Sequence, residues 1–306
     1  LRLLAPAKVN LYLEVLSKFA DGYHDVRTIY QSIDLYDELE FELERTSSSS
    51  HNQILLEIEP EGVLPKGSDN LIYQAAERFF DLAALKDRFQ LTVKLIKKIP
   101  IAAGLAGGST DAACVLRALC RLLPEAALSQ TDIEGIAQSL GADVSFCLKG
   151  GTALGQGRGD DLQSLASCPE LYFLLILPAD KLSAREVYER FDEIYERSDQ
   201  QDKSSPSQQT AYDIQFEQML QALQAKDSAQ IIKSSYNSLE NAATSLSPWL
   251  ATLRRYLNTL NIKSLVSGSG PTALLISAEL SEIETLQQKL NQNYQSIICQ
   301  PVSAAT

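Results

Sequence analysis

One stretch of this chain is made mostly of small residues, and it lies between a strand pattern and a helix pattern. Phe89, Leu91, Val93 and Leu95 alternate at the period of a strand. After Pro100 comes Ile101-Ala102-Ala103-Gly104-Leu105-Ala106-Gly107-Gly108-Ser109-Thr110-Asp111, and from Ala112 to Leu123 the pattern is apolar and helical. Glycines and alanines let a backbone approach another group closely. A helix start adds unpaired N–H groups and a partial positive charge. The combination suits an anion such as a nucleotide phosphate. It is neither a GxxxxGK[ST] loop nor a GxGxxG fingerprint, and a tight packing turn is the alternative reading. The alanines at 102, 103 and 106 are expected at φ < 0.

The chain has 306 residues, enough at roughly 150 per domain for two domains with a sizeable core. A net charge of −12 repels phosphate backbones and argues against a dedicated nucleic-acid binder. Only two histidines occur, His24 and His51, which excludes multi-histidine metal sites. The five cysteines (Cys114, Cys120, Cys147, Cys168, Cys299) form no CxxC pair and are expected to be buried, reduced thiols. No apolar run approaches the ~18 residues of a membrane span. The opening LRLLAPAKVN lacks the pattern of a signal peptide. A cytoplasmic protein is the expectation.

Val9, Leu11, Leu13 and Val15 alternate with polar residues, which predicts a half-buried strand with Lys8 on the solvated side. Residues 37–44 alternate likewise, and 54–58 form another strand. A helix is expected over Leu71–Leu82, with Ser68-Asp69-Asn70 offering caps. Ser129-Gln130-Thr131-Asp132 resembles a capping box for a helix that ends before Gly141. Asp143 is expected at a helix-to-strand turn, as a cap or Asx-turn on local pattern alone. Leu171–Leu177 begins a second lobe, followed by a helix from Ser183. Residues 198–210 have no apolar residue and are expected to be a solvated loop. Two or three helices, a strand at 262–266, a Gly-Ser-Gly turn, a strand at 272–276, a helix and a closing strand complete an α+β chain. The expected domains are 1–165 and 166–306.

Three ordered stretches resemble the GHMP kinases. Pro100 to Ala113 is similar to their phosphate-binding motif, Ala5-Pro6-Ala7-Lys8-Val9-Asn10-Leu11 to their N-terminal motif, and Val266-Ser267-Gly268-Ser269-Gly270-Pro271-Thr272 to their C-terminal glycine motif. Asp21-Gly22-Tyr23-His24 and Gly141-Ala142-Asp143-Val144 narrow the likeness to members acting on a cytidine diphosphate ester. The resemblance implies a lobe like the second domain of ribosomal protein S5 and a ferredoxin-like lobe. ATP with Mg²⁺ and the substrate would lie in the cleft between them. It also implies phosphorylation of the 2-hydroxyl of a methylerythritol unit, in isoprenoid precursor synthesis, with no other cofactor and no obligate protein partner. Two rival functions fit the same motifs: a different small-molecule kinase of the family, and a nucleotide sensor without catalysis.

Carried over residue by residue, Lys8 and Asp143 become the catalytic pair, cation and general base. Pro100, Ala102, Ala103, Gly104, Ala106, Gly107, Gly108, Ser109 and Thr110 hold the ATP phosphates. Asn10, Tyr23, His24, Tyr188, Gly268, Ser269 and Gly270 bind the substrate, with His24 on the cytosine edge and Tyr23 and Tyr188 stacking on the base. No metal ligand is assigned, since the Ser109 hydroxyl is equally suited to Mg²⁺ and to a helix N-cap.

Overall fold

A computed structural model describes residues 1–46, 51–83, 85–199, 206–290 and 292–304. The chain opens with β1 (Arg2–Lys18), β2 (His24–Thr46), β3 (Gln53–Glu59), α1 (Leu71–Ala83) and β4 (Arg88–Ile96). Three helices follow, α2 (Gly107–Leu122), α3 (Gln130–Leu140) and α4 (Ala142–Lys149), then β5 (Thr152–Gln156), β6 (Asp161–Ser164) and β7 (Tyr172–Ile176). Next come α5 (Ala184–Asp199), α6 (Pro206–Ala225), α7 (Ser228–Ser234), β8 (Tyr236–Asn237), α8 (Glu240–Leu246) and α9 (Pro248–Thr259). The chain closes with β9 (Leu265–Val266), β10 (Ala273–Ser277), α10 (Leu280–Leu290) and β11 (Ser296–Cys299). No described helix is long and apolar enough to cross a membrane.

The residues gather into two compact units. The first comprises Leu1–Ala7, Leu35–Ile101 and Ala106–Gly150, the second Lys8–Asp34, Ala102–Leu105 and Gly151–Thr306. In the first unit the end of β2 pairs antiparallel with β4, and β4 pairs parallel with β3. Parallel neighbours need a long crossover, which α1 supplies. Leu39, Phe41, Leu91 and Val93 bury one face of these strands, while Glu40, Glu42 and Glu44 leave the other to solvent. The period-2 alternation at 37–44 is therefore a half-buried strand, as the sequence predicts. Asn70 caps α1 through Oδ1, which accepts from Ile72 N–H at 2.9 Å. Ser129 and Asp132 form the reciprocal capping box of α3.

In the second unit β7, β9, β10 and β11 make an antiparallel sheet of order β11-β7-β10-β9. Taken with the helices between them, this is the β-α-β-β-α-β order of a ferredoxin-like sandwich. Leu174, Ile176, Leu250, Leu253, Leu257 and Leu275 fill its core. β1 pairs with β8, and the start of β2 pairs with β5.

Several local expectations change. β1 is buried on both faces, because α6 covers the side assigned to water. Tyr12 packs 5.3 Å from Phe216, and its hydroxyl donates to the Tyr212 carbonyl at 3.2 Å. α2 begins at Gly107, five residues before the apolar pattern. Asp143 lies in the first turn of a helix, α4, rather than before a strand. The stretch expected as a loop at 198–210 ends α5 and begins α6, and residues 200–205 lie outside the described residues. Cys120 is exposed and Cys168 half-buried, so only Cys114, Cys147 and Cys299 fit the buried-thiol expectation.

A buried ionic cluster anchors the start of α2. Lys97 Nζ bonds Asp37 and lies 3.0 Å from Asp111 Oδ2, with all three side chains at most 4% exposed. Asp37 Oδ1 also accepts from the Lys98 and Ile99 N–H groups at 2.6 and 2.9 Å. Burial raises the Asp111 carboxyl well above its ordinary range; Lys97 opposes that shift and Asp37 adds to it. Among the described residues Asp111 Oδ1 has no hydrogen-bond partner. Removing the shared cation would strand two carboxyl groups, so Lys97→Met is expected to cost about 3–5 kcal/mol in urea unfolding. Asp111→Asn should cost clearly less, since this carboxyl is already biased toward its neutral form. Equal costs would contradict the assignment.

Candidate active site

Lys8 to Leu11, Ala102 to Leu105 and Val266 to Thr272, a part of each motif stretch, meet within the second unit. β1 carries Lys8 and Asn10 on the face that α6 helps to bury, and both are at most 3% exposed. Lys8 Nζ donates to Asn10 Oδ1 at 2.9 Å, and Asn10 Nδ2 donates to Thr28 Oγ1 at 2.7 Å. Thr28 in turn donates to the Tyr12 carbonyl at 2.7 Å. The chain of donors and acceptors fixes the Asn10 amide and leaves its oxygen for the cation. Lys8 Nζ also lies 5.7 Å from the Tyr30 ring centroid.

The small-residue loop reaches this point through Leu105, whose carbonyl accepts from Lys8 N–H at 3.1 Å. Gly104 is at φ +75°, and a Cβ there would lie 2.1 Å from the Ser267 carbonyl. Only glycine fits. Ser267 Oγ donates to the Gly104 carbonyl at 3.0 Å. Gly268, in the turn between β9 and β10, would bring a Cβ within 3.0 Å of Lys8 Nζ. Asn237 holds that turn by donating to the carbonyls of Val266 and Gly268 at 2.6 and 2.8 Å.

The expectation of φ < 0 for the loop alanines fails at two of three positions. Ala102 is at φ 54° and Ala106, the residue before α2, at φ 57°. Each holds a left-handed conformation that costs an alanine about 1–2 kcal/mol, so surrounding structure holds the loop in this shape. Ser109 sits inside the first helical turn, so it is not the N-cap. The Thr110 hydroxyl is buried there without a hydrogen-bond partner among the described residues. Gly107 and Gly108 differ. A Cβ on Gly107 would come 2.8 Å from Lys97 Nζ and 3.1 Å from Ile99, whereas one on Gly108 would meet only Leu71 at 3.7 Å. Gly107 is required by packing in the first unit, and Gly108 is exposed.

Tyr23 and His24 follow the Asp21-Gly22 turn that joins β1 to β2, where Tyr23 N–H donates to Asp21 Oδ1 at 3.1 Å. Tyr23 is 60% exposed, with the Arg158 guanidinium 4.4 Å from its ring centroid. His24 Nε2 lies 2.7 Å from Asp192 Oδ1, and its ring stacks on Tyr188. Asp143 belongs to the first unit and is half-buried in the first turn of α4, where the helix dipole favours its charge. Among the described residues no cluster of three His, Cys, Asp or Glu side chains could hold a metal ion.

Residues 70–151 match the N-terminal domain of GHMP kinases, and residues 219–296 match their C-terminal domain. The chain belongs to the GHMP kinase family. A 4-diphosphocytidyl-2-C-methyl-D-erythritol kinase from Caldanaerobacter subterraneus subsp. tengcongensis is 47% identical over 196 residues, 63% of this chain and 63% of that protein. That match spans just under two thirds of the relative. The enzyme of the same name from Pelotomaculum thermopropionicum is 36% identical over 296 residues, covering 96% of this chain and 95% of that protein. The crystal structure of a 4-(cytidine 5'-diphospho)-2C-methyl-D-erythritol kinase is 28% identical, with a TM-score of 0.73 over 98% of this chain and 99% of that one. This GHMP kinase is a small-molecule kinase that uses ATP as co-substrate.

The sequence did not single out Thr28, Asn237, Arg158 or Asp192. Thr28 and Asn237 are polar residues on strands with no local signal. Asp192 carries one, since it follows Tyr188 by four residues on a helical pattern and so shares its face.

Proposed function

We propose that this GHMP kinase transfers the γ-phosphoryl group of ATP to the 2-hydroxyl of 4-(cytidine 5'-diphospho)-2-C-methyl-D-erythritol, in isoprenoid precursor synthesis by the methylerythritol phosphate route. The likeness to kinases of that name over nearly the whole chain carries the reading. The exposed Tyr23 beside an oriented His24 supports it, because an aromatic face and a polar ring edge together suit a pyrimidine. Tyr188, Asn10 and the Gly268-Ser269-Gly270 turn complete the assigned substrate contacts. The domain boundary is assigned near residue 165; the two family matches, ending at 151 and beginning at 219, support it.

Asp143 takes the proton of the acceptor hydroxyl as the new phosphorus–oxygen bond forms and the bond to the ADP oxygen breaks. Lys8 balances charge on the phosphoryl group in transfer, a role for which a cation already removed from water is suited. The loop from Pro100 through Ala102, Ala103, Gly104 and Ala106, with Gly107, Gly108, Ser109 and Thr110 of α2, cradles the phosphates with N–H groups and the helix dipole. Ser109 and Thr110 would suit Mg²⁺, since this ion takes one or two protein oxygens and otherwise phosphates and water, and among the described residues the Thr110 hydroxyl has no partner. Bound with ATP, Mg²⁺ supplies further neutralisation of phosphate charge.

Gly108 is the clean probe of the cradle, because its Cβ would fit the folded chain. Gly108→Val should fold and lose at least ~10-fold in ATP affinity by calorimetry, about 1.4 kcal/mol. Unchanged affinity would make this stretch a packing turn only. Asp143→Asn keeps shape and removes basicity, so kcat should fall by at least ~10²-fold with both affinities within a few-fold of the parent. A collapse of binding in this variant would instead make Asp143 a structural residue.

A further inference from the structure

One helix holds His24 from two directions. Tyr188 and Asp192 are four residues apart on α5, so both side chains leave the same face. Tyr188 lies flat against the imidazole, with centroids 4.8 Å apart and planes 27° from parallel, which restrains the ring in its plane. Asp192 then fixes rotation within that plane, its Oδ1 being 2.7 Å from His24 Nε2. The other carboxylate oxygen accepts from Lys18 Nζ at 2.6 Å, so the carboxylate is itself tied at both oxygens. The His24 side chain is only 8% exposed and that of Asp192 18%. Partial burial works against the charge on Asp192, but the hydrogen bonds from Lys18 and His24 outweigh it and hold the carboxyl below its ordinary range.

An ionised carboxylate only accepts hydrogen bonds, so Nε2 is the nitrogen that carries the hydrogen. In the neutral imidazole this leaves Nδ1 with a lone pair and no hydrogen. Cytosine presents an amino group where uracil presents a carbonyl. We propose that Asp192 is a positioning residue for base selection: it fixes the Nε2–H tautomer of His24, so that Nδ1 accepts from the cytosine amino group and faces an unmatched oxygen in uracil. The inference rests on the reading that His24 meets the base, and it adds what makes that contact selective. Two acceptors brought together in a mostly buried position leave both unpaired, which a site built for a hydrogen bond rejects strongly. Asp192 touches neither the substrate nor the reacting atoms. It acts through His24 alone.

The test combines kinetics with a direct view of the ring. KM and kcat are measured for the cytidyl substrate and its uridine analogue in the parent, His24→Ala, Asp192→Ala and Asp192→Asn. Nitrogen NMR reports the tautomer in a His51→Gln background, where His24 is the only histidine. Asp192→Ala is expected to raise KM for the cytidyl substrate and to lower the cytidine-over-uridine preference by about tenfold, the equivalent of ~1.4 kcal/mol. Its kcat and KM for ATP should stay within a few-fold of the parent, and an Nδ1–H population should appear. Asp192→Asn, whose side-chain oxygen still accepts, should retain most of the preference. If alanine fails to fold, Asp192→Leu repeats the measurement at nearly the original volume. An unchanged preference and a persistent Nε2–H tautomer without the carboxylate would overturn the inference. Should His24→Ala alone lower the preference, the base contact stands and the role of Asp192 falls. Should neither variant lower it, both fall.

Discussion

A lysine ammonium kept out of water on an interior strand sets the requirements for the rest of the site. Lys8 is 3% exposed, and a charge so placed needs fixed polar neighbours to be tolerated. The Asn10 oxygen provides one, and the Asn10 amide is in turn committed by Thr28 and the Tyr12 carbonyl. The same cation brings the glycine turn close, since Gly268 leaves just enough room for it. Gly104 then packs on that turn with no space for a side chain. Three segments far apart in sequence are thus tied to one charge, which is what a preorganised electrostatic site requires.

A second buried charge organises the first unit in the same manner. Lys97, shared by Asp37 and Asp111, secures the first turn of α2, while Ala106 enters that turn in a left-handed conformation. Strain at Ala106 and the ionic anchor at Lys97 both bear on the start of α2. The Lys97 contact to Asp111 opposes a shift of the helix start that would relieve the left-handed Ala106. Gly107 completes the fit by letting Lys97 approach the helix backbone.

The sequence makes the three motifs legible because each needs unusual residues at fixed spacing: a lysine amid apolar residues, a run of glycines and alanines, a Gly-Ser-Gly turn. Strand and helix periods at 37–44, 71–82, 89–95 and 171–177 are legible for the ordinary reason that one face is apolar. What escapes is whatever depends on a distant element. Alternation reports one buried face of β1 and cannot report that Phe216 and Tyr212 cover the other. Glycines hide the start of α2, since their weak helix preference suggests a loop while the Lys97 cluster keeps them helical. Asp143 reads as the neighbour of a strand because a short apolar run, Val144 to Leu148, fits a buried helix as well as a strand. His24 is marked by its motif, but its partner Asp192 lies 168 residues away.

On the proposed function, this kinase uses ATP to phosphorylate a cytidine-linked methylerythritol and not another alcohol. A coupled ADP-release assay over the cytidyl methylerythritol, homoserine, mevalonate and galactose tests it most directly. Substrate-dependent ADP release is expected with the cytidyl compound, and only background release with the other three. Comparable or faster turnover of any of those three, or no release with the cytidyl compound from a folded, ATP-binding protein, would contradict it.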